Sequence, residues 1–173
     1  MNVPAFLIRT QQPCDLPAIQ ALHEHAFGPG RFARTAYRVR EGCIGEPGLS
    51  LCAVNGEELI GSIEFTPIKI GGVTGALLLG PLVIADNSKN QGWGLKLMLE
   101  GMGRGLRLGY RFVVLVGDAP YYARAGFQPV RPGRIEMPGP VNPARLLYAE
   151  LEAGSAADYA GLVCGLPAKP TGG

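Results

Sequence analysis

The sequence predicts an α/β (α+β) fold in which helices cover both faces of one central sheet. Short apolar segments alternate along the chain with segments of helical periodicity. The longest apolar run, residues 76–85, is too short to cross a membrane and is typical of a strand buried on both faces. The 173 residues, of which 47% are apolar, are enough for one compact domain of ordinary size.

The first half of the chain predicts a strand, two helices and a hairpin. Asp15 is a typical helix N-cap, Pro17 suits the first turn, and the Gly-Pro-Gly at residues 28–30 ends the helix. An Asn-Gly pair at residues 55–56 favours a hairpin turn. The expected elements are a strand at Ala5–Thr10, a helix over residues 16–27, a more polar helix at Arg31–Glu41, and a hairpin of Leu49–Val54 with Leu59–Ile70.

In the second half, apolar stretches are separated by glycine and proline turns. The segment after residue 153 is small, glycine-rich and weakly patterned, so we expect one domain over residues 1–153 and a tail over residues 154–173. The other expected elements are strands at Gly75–Ile84, Phe112–Val116, Arg134–Met137 and Arg145–Glu152, and helices at Leu95–Leu108 and Pro120–Ala125.

The helix expected at Leu95–Leu108 contains internal glycines, each of which costs about 1 kcal/mol relative to alanine. Gly101 and Gly105 lie one turn apart, so close approach of their face to the sheet would explain them. Helical spacing predicts an apolar face made of Leu95, Met98, Leu99, Met102 and Leu106.

Charge and cysteine usage narrow the classes of function. The net charge is +2 with no block of like charges, which argues against a nucleic-acid partner. Cys14, Cys43, Cys52 and Cys164 form no CxxC pair and no cluster with histidine, so we expect reduced thiols, a cytoplasmic protein and no metal site. The N-terminus lacks a signal-peptide pattern, and no membrane partner is expected.

A polar turn at residues 89–94 (Lys-Asn-Gln-Gly-Trp-Gly) joins the long apolar strand to the next helix. Such a turn presents unpaired backbone N–H groups at the positive end of a helix dipole, which suits a pyrophosphate. It lacks the third glycine of a dinucleotide fingerprint, and the chain has no GxxxxGK[ST] run, so neither a Rossmann site nor a nucleotide triphosphatase follows. Taken alone, the turn is equally compatible with a plain strand-to-helix connection.

Two motifs together resemble those of the GNAT superfamily of acetyl-CoA-dependent N-acetyltransferases. The first, Gln/Arg-x-x-Gly-x-Gly/Ala, corresponds to residues 89–94, with Lys89 in place of the usual Gln or Arg. The second, aromatic-Tyr-x-x-x-Gly-Phe, corresponds to residues 121–127. The sequence of residues 79–84 and the Pro-Gly-Pro at residues 138–140 are most similar to those of the bacterial YhbS-like branch. The resemblance covers residues 5–152.

This resemblance implies a mixed, mostly antiparallel sheet and acetyl-CoA as co-substrate. It implies that the strand end at residues 82–84 pairs with the pantetheine arm, and that the turn holds the pyrophosphate through its N–H groups. Arg124 is expected at the 3′-phosphate, with a solvated arginine as the alternative. The residues assigned to the cofactor are Leu82, Val83, Ile84, Lys89, Asn90, Gln91, Gly92, Trp93, Gly94, Leu95 and Arg124.

Acetyl transfer to an amine requires an acid for the leaving thiolate and a base for the amine. The resemblance makes Tyr122 the acid, and a phenol with a pKa near ~10 suits a thiolate; the alternative for Tyr122 is packing. Glu64, on the middle strand, is the candidate base, with a surface-facing strand residue as the alternative. His23 and His25 lie on the first helix, either solvated or near the acceptor.

We therefore expect a bacterial, cytoplasmic N-acetyltransferase that moves an acetyl group from acetyl-CoA to a primary amine. One alternative is a non-catalytic module of the same fold that senses an acyl-CoA; another is a scaffold that kept only the sheet and binds no CoA. The acceptor stays open among small amines, aminoglycoside-like compounds, amino acids and protein amines. A homodimer is compatible with the sequence, which has no stripe that decides it.

Overall fold

A central sheet organises the computed structural model, which describes residues 6–28, 30 and 34–167. The strands are β1 (Phe6–Thr10), β2 (Leu51–Asn55), β3 (Glu58–Ile70), β4 (Val73–Ile84), β5 (Phe112–Val116), β6 (Gln128–Pro129), β7 (Ile135–Glu136), β8 (Leu146–Glu150) and β9 (Gly161–Gly165). They run in the order β1-β2-β3-β4-β5-β8-β6, while β9 pairs with β3 and with β7. The pairs β4–β5 and β7–β9 are parallel, and the other pairs are antiparallel.

Four α-helices cover the two faces of the sheet within the described residues. They are α1 (Leu16–Phe27), α2 (Thr35–Arg40), α3 (Trp93–Arg107) and α4 (Ala119–Ala123). Leu97 of α3 belongs to the core on one face, and Val39 of α2 belongs to the core on the other. The predicted fold class, a mixed and mostly antiparallel sheet between helices, is confirmed. No helix in the described part of the chain combines the length and the apolar character needed to cross a membrane.

Helix α2 is shorter than the helix predicted at Arg31–Glu41, of which residues 31–33 lie outside the described residues. It begins at Thr35, whose hydroxyl donates to the carbonyl oxygen of Pro140 over 2.7 Å. It ends at Arg40 because the next residue leaves the helical conformation and Gly42 has a left-handed φ of +71°. The bond from Thr35 ties α2 to the connection between β7 and β8.

The predicted apolar face of α3 is partly wrong: Met98 is buried and Leu95 and Met102 pack against the core as predicted, but the other two residues do not. Leu99 and Leu106 are 51% and 49% exposed. A methyl group on Gly101 would overlap the ring of Phe65 on β3, so α3 approaches the sheet through its glycines, as their spacing predicts. The prediction considered only apolar side chains, and it therefore missed the contact that α3 makes with the sheet through glycine. The buried residues of α3 are Gly94, Leu97, Met98, Gly101 and Gly105.

The segment predicted as a tail from residue 154 is part of the fold as far as it is described, to residue 167. A 3₁₀ helix at Ser155–Asp158 leads into β9, which pairs with the end of β3. Between them, Tyr159 is fully buried; its ring lies 4.7 Å from that of Phe112, and its hydroxyl donates to the carbonyl oxygen of Thr74 over 2.7 Å. The prediction failed because Tyr159 and Val163 provide most of the apolar burial in a stretch of small residues that shows no periodicity.

In the middle of the sheet, β4 separates from β5. Their parallel pairing stops at Leu78 of β4 and Val114 of β5, although β4 continues to Ile84 and β5 to Val116. The later part of β4 therefore has a free edge toward β5, and a gap opens between the two strands.

Strand β4 also contains a bulge at the start of this gap. In the register with β3, the single residue Glu64 lies opposite two residues of β4, Gly80 and Pro81. Gly80 has a φ of +122°, in the left-handed region that favours glycine. Bulges bend a strand and re-aim its backbone, and they are over-represented next to active sites.

Candidate active site

A cavity of about 500 Å³ lies at the N-terminus of α3, and we call it the α3 cavity. The end of β4, the turn before α3 and the tyrosine segment surround it. Nine of the predicted cofactor residues line this cavity: Leu82, Ile84, Lys89, Asn90, Gly92, Trp93, Gly94, Leu95 and Arg124. Two others do not. Val83 is buried inside the sheet, and Gln91 donates to the carbonyl oxygen of Asn87 over 3.2 Å.

The backbone of the turn is shaped to expose N–H groups to the α3 cavity. The helix begins at Trp93, two residues before the predicted start at Leu95, and Gly92 is its N-cap with a φ of +85°. Asn90 also has a left-handed φ, of +61°. The first intrahelical bond runs from the N–H of Lys96 to Gly92, so the N–H groups of the first turn have no partner within the helix.

Side chains of the turn contact other parts of the protein. The Nζ atom of Lys89 lies 2.6 Å from a carboxylate oxygen of Asp86. The ring of Trp93 stacks on Phe6 of β1 with centroids 5.3 Å apart, and Nζ of Lys96 lies 4.5 Å from that ring. The side chains of Lys89 and Trp93 are therefore held by other parts of the protein, and Arg124 is an exposed cation on the lining of the α3 cavity.

A second cavity, of about 540 Å³, occupies the gap between β4 and β5, and we call it the α2 cavity. Residues 79–82 of β4 and Val116 of β5 form its sheet side. Tyr37 and Arg40 of α2 cover it, and Arg145, just before β8, closes another side.

The two cavities meet at the free edge of β4, because Leu82, Tyr121 and Tyr122 line both. The ring of Tyr122 packs against Gly117 and lies 6.0 Å from the ring of Phe127. Burial raises the pKa of Tyr122 to about 12, so its phenol keeps its proton at neutral pH. Tyr122 therefore packs in the core and also reaches the junction, and its role as the acid stays a prediction.

Comparison with known proteins places this arrangement among acetyltransferases, although no family model matches the chain. The chain is 32% identical over 125 residues to the N-acetyltransferase YhbS of Escherichia coli K12, which covers 71% of this chain and 74% of YhbS. It is 29% identical over 132 residues to the N-acetyltransferase YjhQ of the same strain, covering 75% of this chain and 73% of YjhQ.

The crystal structure of Escherichia coli YhbS, a GNAT family N-acetyltransferase in complex with CoA, superposes on 96% of this chain and 92% of YhbS, with a TM-score of 0.82 and 26% identity. This chain belongs to the GNAT family. A GNAT acetyltransferase from Brucella melitensis, in complex with acetyl-CoA, covers 85% of this chain with a TM-score of 0.63 and 27% identity; 97% of that chain is covered. The family predicted from the two motifs is confirmed.

In this GNAT domain, Glu64 lies beside the bulge of β4. It is half-buried, and burial raises its pKa while the positive charge of Arg40 opposes that rise. Glu64 is not one of the residues that line the α2 cavity. Glu64 is therefore partly buried, and both its role as a base and the surface-facing alternative stay predictions.

Two residues near the junction escaped the sequence analysis. Arg40 reaches the α2 cavity from the last turn of α2, a helix whose sequence carries no motif. The hydroxyl of Tyr121 lies against Gly94, where a methyl group would overlap it. The Tyr-Tyr pair at residues 121–122 was a signal that could have drawn attention to both phenols.

Neither histidine of α1 lines the two cavities. Nε2 of His25 lies 2.6 Å from a carboxylate oxygen of Asp86, the same residue that pairs with Lys89. The ring of His23 lies 6.0 Å from that of Phe27, which lines the α2 cavity. The contact of His25 therefore reaches the loop before α3 and not the gap in the sheet.

Proposed function

We propose that this protein transfers the acetyl group of acetyl-CoA to a primary amine that binds in the α2 cavity. One observation carries the proposal. The α3 cavity contains the unpaired N–H groups of a helix N-terminus, and the α2 cavity is lined by a largely different set of residues. The two cavities meet at the phenol of Tyr122, beside the free edge of β4. Two substrates that enter from different sides would bring their reacting groups together there.

Acetyl-CoA would occupy the α3 cavity. The N–H groups at the start of α3 suit the pyrophosphate because the helix dipole and the unpaired donors both favour negative charge. The free edge of β4 at Leu82 offers backbone groups to an amide-bearing arm, and Arg124 offers a cation to a terminal phosphate. CoA in the YhbS structure and acetyl-CoA in the Brucella structure support this assignment.

The acceptor would enter through the α2 cavity and attack directly. The amine nitrogen forms a bond to the thioester carbon, the carbon–sulfur bond breaks, and the thiolate leaves. One proton passes from the nitrogen through water to Glu64, which does not line the α2 cavity, and the thiolate takes the proton of Tyr122. The products are an N-acetyl amide and CoA, and the two side chains exchange protons with solvent afterwards.

The pKa directions act differently on these two roles. Burial keeps the phenol of Tyr122 protonated at the start of every cycle, but its raised pKa makes it a weaker proton donor than an ordinary phenol, so transfer to the thiolate is uphill. A carboxyl whose pKa is raised holds a proton more strongly, so its ionised form is a better base than an ordinary carboxylate.

We also propose a bacterial cytoplasmic setting. The YhbS and Brucella relatives are bacterial, and Cys14, Cys43, Cys52 and Cys164 are free thiols in the structure. The homodimer stays a prediction, for which sedimentation of the purified chain is the test.

Calorimetric titration with acetyl-CoA, with desulfo-CoA as the matched control, tests the first half of the proposal. Micromolar binding is expected, followed by thiol release when a panel of amines is added. Binding without thiol release for any amine would favour the acyl-CoA sensor instead. A folded protein that binds neither ligand would contradict both.

A further inference from the structure

The α2 cavity has an unbalanced charge. Among the described residues that line it, the cations are Arg34, Arg40 and Arg145, whereas Asp118 is the acid. Arg145 and Asp118 lie 3.5 Å apart and largely offset each other at the solvent side. Of the remaining two arginines only Arg40 is partly buried, so among the described lining residues the inner part of the cavity carries one cation and no acid.

Arg40 is the cation that lies deepest against the bulge. Its Nη2 atom would lie 2.8 Å from a methyl group placed on Gly80, and its guanidinium carbon lies 5.1 Å from the ring centroid of Tyr37. Arg34, in contrast, is exposed and lies over the ring of Phe27, 5.5 Å from its centroid.

The guanidinium of Arg40 has one donor, its Nε, that no described residue satisfies. Its Nε is fully buried without a hydrogen-bond partner in the described part of the chain. Glu64 is the carboxylate that most influences Arg40, yet the two form no direct ion pair. Burial lowers the pKa of Arg40 to about 10, which still leaves it charged at neutral pH.

An unpaired buried cation is costly, so proteins pair such groups or use them to bind an opposite charge. A guanidinium presents its N–H donors in a planar fork that matches a carboxylate in a bidentate geometry. The guanidinium of Arg40 lies between α2 and the β4 bulge, in the same cavity that Tyr122 lines.

We propose that the acceptor is a small amine that carries a carboxylate, and that Arg40 binds this carboxylate in the α2 cavity. The inference rests on the proposed function and narrows it. Nearby arginines also lower the pKa of a bound amine, which favours the neutral form that attacks. Polycationic acceptors such as polyamines and aminoglycosides are disfavoured by the same charges.

Matched acceptor pairs test the proposal. Thiol release from acetyl-CoA is measured with α-, β- and γ-amino acids and with the primary amide of each, and kcat/KM is expressed per neutral amine because the amide lowers the pKa of the amine. At least one acid is expected to exceed its amide in kcat/KM by about 30-fold or more, as loss of a buried charged partner implies. Spermidine and an aminoglycoside serve as polycationic probes.

Variants of two arginines on the same helix locate the effect. Arg40→Gln is expected to reduce the preference for the acid over its amide to about one, and Arg40→Lys to restore part of it because the charge returns without the fork. Arg38→Gln, at an exposed position of α2, is the matched control and should keep the full preference. Circular dichroism of each variant checks that it folds.

Equal use of acids and amides, transfer only to polycationic amines, or an unchanged preference in Arg40→Gln would each overturn the inference. So would the absence of transfer to every carboxylate-bearing amine in a protein that binds acetyl-CoA. Failure of the proposed function is distinguishable, because it appears as loss of acetyl-CoA binding in the titration or as no thiol release with any amine. If Arg40→Gln does not fold, the acid-to-amide ratio of the unaltered protein still decides.

Discussion

The α3 cavity and the α2 cavity are of similar volume but are built differently. The α3 cavity takes most of its lining from one stretch, residues 82–95, which includes the N-terminus of α3. The α2 cavity gathers side chains from α1, α2, β4, α4 and the segment before β8. A site made by one turn and a helix terminus leaves a motif in the sequence, whereas a site gathered from distant segments leaves none.

The largest expected effect concerns the junction that the two cavities share. Tyr122→Phe removes the proton donor and keeps the ring that packs against Gly117. We expect kcat to fall about 1,000-fold, within the range that positioned proton transfer contributes, while the KM for acetyl-CoA changes little. Tyr148→Phe, at a tyrosine that lines neither the α2 cavity nor the α3 cavity, is the matched control. Steady-state kinetics decide, and an unchanged kcat in Tyr122→Phe would assign Tyr122 to packing alone.

The second-largest expected effect concerns Glu64, the candidate base beside the β4 bulge. Glu64→Gln removes the candidate base, and kcat/KM should fall about 100-fold at pH 7. Because burial raises the pKa of Glu64, activity should rise with pH through a value above that of an ordinary glutamate, and this limb should disappear in the variant. Glu57→Gln, in the exposed turn between β2 and β3, is the control. Persistence of the limb would point to the amine itself as the titrating group.

A third effect tests the backbone of the α3 cavity. Gly92→Val forces a β-branched residue into a φ of +85°, so the turn should change shape and acetyl-CoA binding should weaken about 10-fold. A methyl group on Gly92 would meet no atom within 4 Å, so strain and not crowding is the cause. Calorimetric titration measures the change.

Gly109 provides the matched control for this strain. It follows the other end of α3 with a φ of +94°, and a methyl group there also meets nothing within 4 Å. Gly109→Val and Gly92→Val should each lower the free energy of unfolding by about 1–2 kcal/mol, but Gly109→Val should leave the acetyl-CoA affinity unchanged. Normal affinity in a folded Gly92→Val protein would remove the turn from the binding site.

The smallest effect concerns the side chains of the turn. Lys89→Ala should weaken acetyl-CoA binding by less than about threefold, because Nζ of Lys89 is held by Asp86 in an exposed ion pair. Asp86→Ala should release that lysine and tighten binding slightly at low salt. A large loss in Lys89→Ala would mean that the site depends on this side chain and not mainly on backbone.

Much of the fold followed from local pattern. The strand Phe112–Val116 and the hairpin around residues 55–56 lie where periodicity and the Asn-Gly turn predict them. The apolar face of α3 was partly misplaced because helix-to-sheet contact through glycine has no apolar side chain to reveal it. Strand β9 was missed because its stability comes from pairing with β3, 90 or more residues away in the chain, and from the single aromatic Tyr159.

The sequence by itself determined the family and pointed to most residues that line the α3 cavity. Both depend on contiguous residues, since a glycine-bearing turn before a helix and a Tyr-x-x-x-Gly-Phe segment keep their geometry wherever they occur. Only the tertiary structure decided that β4 leaves β5 after Leu78 and that α2 brings Arg40 to the bulge. Strand separation and the burial of a charge depend on packing among residues far apart in the chain, and local patterns carry no record of such contacts.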